Sequence, residues 1–248
     1  MRSRDLAWDG CVNVRDLGGL PLETGGETRF GQVVRADNVR RLTPRGWEAL
    51  TGYGVRRIVD LRFVRERADE SVPPTGLDVV AVSLFGEHDP AEAEREDAVL
   101  RQAGDDVSAI ELFYTSTLDG RRSQVAAALG AVAAAPDGAV VVHCFVGKDR
   151  TGLVSALLLR LAGVPEDVVA EDYALSGPVV GPLVDDWIAA AEDEHERAFR
   201  TRLSAAPAAG MRRVLAWLEA EWGGAEAYMR GTGVTADQVS RLRRRLAG

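Results

Sequence analysis

The chain has 248 residues, 46% of them hydrophobic, and carries 38 Asp and Glu against 30 Lys and Arg, a formal net charge of −8. This length and apolar content suit one α/β domain with a sizeable core, and the negative balance argues against general nucleic-acid or anionic-membrane binding. Two cysteines and three scattered histidines are too few for a metal cluster or a disulfide framework, and no apolar run reaches transmembrane length, which argues against stable membrane insertion.

The first ten residues lack the apolar centre of a secretory leader, so the cytoplasm is the expected location, with leaderless export left open. Residues 32–35 and 55–61 read as strands, with a helix between them that starts at the capping pair Thr43-Pro44. A further strand of alternating polarity is predicted over 77–84. Helices follow from about Pro90 and from Val107, and an Ala-rich one covers 123–135. Between Glu87 and Asp106 lie eight acidic residues against two Arg. That stretch reads either as a solvated helix face or as a lid over a site, hinged at Gly86 and Gly104. An acidic lid would disfavour highly charged anionic ligands.

Residues 139–142 form a continuous apolar run of strand length, suited to a buried parallel strand. An apolar helical segment over 153–161 is stopped by Gly163, with Pro165 beyond. More helix is expected over 166–174 and in a polar region over 182–203. Another helix carries Met211, Leu215 and Leu218 at core spacing, and two short helices follow it. The cluster Arg241, Arg243, Arg244 and Arg245 reads as a solvated helix C-terminus, favourable to the helix dipole, with membrane-surface docking as the lesser alternative.

The stretch over 140–152, V-V-V-H-C-F-V-G-K-D-R-T-G, carries the chemistry. It reads as strand, short loop and helix start, with Cys144 and Arg150 six positions apart. Such a loop places a thiolate at its floor and a guanidinium at its rim, and turns the N–H groups of Phe145, Val146, Gly147 and Lys148 inward around a tetrahedral oxyanion. A thiolate at a helix N-terminus beside cations is electrostatically favoured. Cys144 is thus the expected nucleophile on phosphorus, giving a phosphocysteine intermediate. Arg150 would bind two phosphoryl oxygens in bidentate fashion. Thr151 would donate its hydroxyl to the sulfur, and His143 would orient the loop. Of the 30 Lys and Arg, Lys148 is the one Lys, inside the loop, and is expected to touch a substrate phosphate. A proton is needed by the leaving oxygen. Asp149 is the first candidate; Asp60, Asp89 and Asp97 are rivals. Cys11 reads as a small core residue, and a reversible disulfide with Cys144 is a weaker idea.

These residues resemble the atypical bacterial tyrosine-protein phosphatases that act on proteins and lipids, with their H-C-x-x-G-K-D-R-T-G signature. The resemblance runs through N-V-R-D-L-G-G from Asn13, R-A-D from Arg35, Y-G-V-R-R-I-V-D-L-R from Tyr53, E-D-Y-A-L-S from Glu171 and A-E-A-Y-M-R from Ala225. One departure is Ala36, where the family usually has Ser. The resemblance implies Cys144 as nucleophile, Lys148 and Arg150 as phosphate ligands and Asp149 as acid. An Asp directly before the loop Arg also looks like the loop of myotubularin-type lipid phosphatases. The implied fold is a single cysteine-phosphatase-like α/β domain over 1–248, its central, mostly parallel sheet flanked by helices, with a lid insertion at about 86–120. The implied activity needs no cofactor or metal. Its substrates would be phosphotyrosine proteins, with phosphoserine, phosphothreonine or phosphoinositides as open alternatives, and inorganic phosphate would occupy the loop. Competing readings are a catalytically silent phosphate-binding module and an arsenate reductase or sulfurtransferase on the same loop.

Overall fold

The computed structural model describes residues 2–67, 73–86, 98 and 100–247. Five strands form one sheet: β1 (Arg15–Asp16), β2 (Val33–Ala36), β3 (Val55–Asp60), β4 (Asp78–Ala81) and β5 (Ala139–His143), in the order β1-β2-β5-β3-β4. β1 is antiparallel to β2, and the remaining pairs are parallel. The apolar run over 139–142 is therefore the central strand, with every residue of β5 buried. Its register places Ala36 and Asp60 on either side of His143. The chain segments that leave β2, β3 and β5 thus emerge side by side at one sheet edge, where α/β sheets place their sites.

β2 and β5 are buried on both faces, whereas the edge strand β4 is largely exposed. Val34, Ala36, Ile58, Ala139 and Val141 pack on one side with Trp8, Trp47 and Leu50, the last two from α1 (Pro44–Gly52). The Thr43 hydroxyl accepts from the Gly46 N–H at 3.2 Å, the cap expected from the Thr-Pro pair. Val33, Val59, Val140 and Val142 face the other layer. That layer contains α2 (Asp106–Gly120), α3 (Arg122–Ala133), α4 (Asp149–Ala162), α5 (Glu166–Ala174), α6 (Gly177–Ala189), α7 (Glu194–Ser204), α8 (Ala208–Trp222), α9 (Ala225–Gly231) and α10 (Ala236–Ala247). α4 follows the central strand directly. Apart from Asp149 and Arg160 its side chains are buried, as an all-round apolar helix should be. Gly163 ends it in the left-handed conformation, φ +90°.

Three expectations change. The two-residue antiparallel strand β1 was not expected, because N-V-R-D carries no apolar alternation. The polar region over 182–203 is two helices, α6 and α7, broken at 190–193. The expected lid over 86–120 divides: residues 87–97 and 99, with Asp89, Asp97 and the helix expected from Pro90, lie outside the described residues. Residues 106–120 form α2, which buries Ile110, Tyr114 and Leu118 in the core.

Candidate active site

The loop from Cys144 to Lys148 joins β5 to α4, with Cys144 buried at 1% exposure. Four consecutive loop carbonyls are held from outside. The Cys144 carbonyl meets His143 Nδ1 at 3.2 Å and the Phe145 carbonyl accepts from the Asn38 N–H at 3.1 Å. Val146 accepts from Asn13 Nδ2 and Gly147 from Arg35 Nη2, both at 2.9 Å. In a trans peptide the C=O of one residue and the N–H of the next point in opposite directions. The N–H groups of Phe145, Val146, Gly147 and Lys148 therefore turn to the inside of the loop, and none donates to another described residue. Gly147 is needed for this path. Its φ is +73°, and a Cβ there would lie 2.7 Å from the Ala36 carbonyl oxygen and from the Asp37 nitrogen.

The clamps are themselves fixed. Asp172, at 2% exposure, binds the guanidinium of Arg35 at 2.7 Å and also pairs with Arg4 and Arg15. Burial alone would raise its carboxyl, but Arg35, Arg15 and Arg4 together hold it far below the usual range. Ser176 accepts from Arg35 at 3.1 Å and from Arg15 at 3.2 Å, and Arg15 donates to Asn13 Oδ1 at 2.6 Å. The segments from Asn13, Arg35 and Glu171 thus converge on one loop.

Arg150 sits in an ion pair with Glu66, at 2.5 Å and 3.0 Å, and against the adjoining rings of Phe63 and Phe85, whose centroids are 5.4 Å and 5.3 Å from it. Burial opposes its charge, yet Cys144, then Glu66 and Asp149, hold the guanidinium above its ordinary value. Glu66 engages Nη1 and Nη2 from the end, which leaves the Nε edge of the fork for another oxyanion. Asp149 is partly exposed; its Oδ1 accepts from the Tyr114 hydroxyl at 2.8 Å and meets Lys148 Nζ at 2.9 Å. The Tyr173 hydroxyl lies 2.8 Å from that of Tyr114. Burial, then Asp149, pushes the Tyr114 phenol well above its usual range, so it stays a donor; Tyr173 then donates to Tyr114.

A phosphatase family accounts for this loop. A sequence model of the tyrosine phosphatase family matches residues 6–248. The chain belongs to this family. It is 32% identical over 229 residues to a tyrosine-protein phosphatase of Nostoc commune, covering 86% of this chain and 73% of the relative. It is 30% identical over 196 residues to the triple specificity protein phosphatase PtpB of Mycobacterium tuberculosis, covering 70% of each. The chain is accordingly a tyrosine-protein phosphatase, and its mostly parallel sheet flanked by helices agrees with a cysteine-phosphatase-like fold. Among the described residues no helix is long and apolar enough to cross a membrane.

Within this phosphatase, some expected residues stand where the loop needs them and others are turned elsewhere. Phe145 is exposed at the rim, and Val146 is buried. The expectation that Lys148 reaches a substrate phosphate differs from its placement. Its ammonium is buried against Leu203 and Ala205, whose carbonyls at the end of α7 accept from it, and beside Asp149. An ammonium without a planar fork satisfies three such oxygens easily, which explains a Lys in an Arg-rich chain. Thr151 Oγ1 points to the Ala36 carbonyl at 3.5 Å rather than to sulfur. Asp60 is a poor rival acid. Burial raises its carboxyl, but hydrogen bonds from Arg62 and the charges of His143 and Arg62 pull it down to about 2. Cys11 and Cys144 are both free thiols. Burial and then Asp37 push the Cys11 thiol up, so it is a weak nucleophile for a disulfide.

Glu66 and Tyr114 were not singled out in sequence, and Asn13 and Tyr173 stood only inside segments that carry the resemblance, with no role given to either. The pattern D-L-R-F-V-R-E places Glu66 six residues after Asp60 at the end of β3, a signal that register alone converts into contact with Arg150.

Proposed function

We propose that the chain hydrolyses phosphotyrosine in proteins without a metal, through a cysteinyl-phosphate. The observation that carries this reading is the outward clamping of four successive loop carbonyls. Cys144 Sγ attacks phosphorus in line, forming the S–P bond while the P–O ester bond breaks. The inward N–H groups and the free edge of Arg150 take the three non-bridging oxygens. Asp149 delivers the proton to the leaving oxygen. Its Oδ2 accepts from none of the described residues and is the atom that carries that proton. In the second step a water attacks phosphorus, its proton returns to Asp149 and the thiolate leaves. Glu66 holds Arg150 against Phe63 and Phe85. Phosphoserine, phosphothreonine and phosphoinositides form the wider substrate range, supported by the likeness to a triple specificity relative.

The test uses wild type and Cys144→Ser in a chelator, on a phosphotyrosine peptide, a phosphothreonine peptide and phosphatidylinositol monophosphates. Wild type should turn over and show an acid-quenched phosphoenzyme, and the variant should do neither. Activity that survives the substitution ends the thiolate mechanism. Binding without turnover by wild type would leave a silent phosphate-binding module.

A further inference from the structure

A second concave site lies at the opposite pole of the sheet. It is a cleft of about 520 Å³ lined by Arg29, Gln32, Asp137, Arg241, Arg244 and Arg245. Gln32 directly precedes β2 and Asp137 nearly adjoins β5, whereas Cys144 follows β5. Five strand residues at roughly 3.3 Å each separate the cleft from the catalytic loop by on the order of 16 Å.

Its charge is opposite to that of the whole protein. Arg245 anchors α10 by donating to the carbonyls of Gly138 at 2.7 Å, Ala135 at 2.9 Å and Pro136 at 3.1 Å. Arg29 donates to the Arg244 carbonyl at 3.1 Å. These bonds fix guanidinium groups in place without neutralising them. Among the described residues Arg241 pairs with Asp237 at 2.8 Å, while the exposed side chains of Arg29 and Arg244 have no acidic partner. Burial lowers the Arg245 guanidinium from its ordinary value; Asp137 opposes this, and Arg57 and Arg29 add to it. Four Arg against Asp137 and Asp237 leave a local positive excess on a chain of net charge −8. Planar forks suit phosphate oxygens, which they bind in bidentate fashion. A cleft of this volume has room for several linked phosphates with guanidinium groups along its lining.

We propose that this cleft binds a small soluble anion bearing two or more adjacent phosphate groups, separately from the catalytic loop. The site is formed where α10 meets the segments that lead into β2 and β5, and its exposed cations Arg241 and Arg244 make the phosphate contacts.

Isothermal titration of the full chain with metal-free sodium tripolyphosphate, and separately with adenosine triphosphate, tests this. Wild type, Arg150→Ala and the double variant Arg241→Ala/Arg244→Ala are compared, with circular dichroism and melting curves as the check of folding. Wild type and Arg150→Ala should each bind one equivalent outside the loop, and the double variant should bind at least tenfold more weakly while melting normally. Orthophosphate should compete poorly. Loss of binding in Arg150→Ala with retention in the double variant would place the anion in the catalytic loop and overturn the proposal. No binding by Arg150→Ala at millimolar tripolyphosphate, or orthophosphate binding as tightly to Arg150→Ala, would overturn it as well.

Discussion

Asn13→Ala tests whether the carbonyl clamps orient the oxyanion donors. Asn13 is 1% exposed; it donates to the Val146 carbonyl at 2.9 Å and accepts from Arg15 at 2.6 Å. The substitution leaves a buried carbonyl and a buried guanidinium N–H short of partners, at a cost of about 1–3 kcal/mol. For a chain of this size each kcal/mol lowers Tm by roughly 2–4 °C, so the variant stays folded at room temperature. The catalytic effect is separate. Complete loss of one oxyanion donor costs about 10²–10³ in kcat. Here the flanking carbonyls of Phe145 and Gly147 keep their own donors, Asn38 and Arg35. The Val146–Gly147 peptide is freed but not released, and the expected fall in kcat is about tenfold to a hundredfold, with little change in KM. Steady-state rates on a phosphotyrosine peptide, and inhibition by orthovanadate as a trigonal-bipyramidal mimic, read this directly. If Tm falls while kcat stays within about threefold and vanadate binds as before, the clamps serve stability alone and the reasoning fails.

Glu66→Gln keeps the shape of the residue on Arg150 but removes the charge of the ion pair; kcat/KM should fall about tenfold, and Glu66→Asp should recover part of it. An unchanged kcat/KM in the glutamine variant would mean that Phe63 and Phe85 position Arg150 unaided. The acid limb of stability should report Asp60. Its folded pKa of about 2 lies below the ordinary 3.8, so its contribution is fully present above about pH 4 and is lost as pH falls toward 2. The difference of nearly two units corresponds to about 2 kcal/mol. Denaturant unfolding at several pH values between 6 and 2.5 should show a shallower decline by that amount in Asp60→Asn. Parallel curves for the two proteins would show that Arg62 does not hold the Asp60 carboxyl below its unfolded value.

Much of the catalytic segment was legible because its signals are local. An apolar run, a Cys, a Gly and an Arg at close spacing, followed by an apolar helix, place β5, the loop and α4 in order without reference to anything distant. The capping pair before α1 and Gly163 after α4 act in the same way, through bonds that span a few residues. Only the tertiary structure decided what surrounds the loop. Arg35, Asn38 and Glu66 reach it because β2 and β3 flank β5 in parallel with aligned ends, and Asn13 because β1 runs antiparallel to β2 with Arg15 beside Arg35; both pairings join residues remote in sequence. Lys148 shows the limit most clearly. Its position in the loop is set by the chain, but whether its ammonium faces a phosphate or the end of α7 depends on where α7 packs, and the carbonyls of Leu203 and Ala205 bind it there.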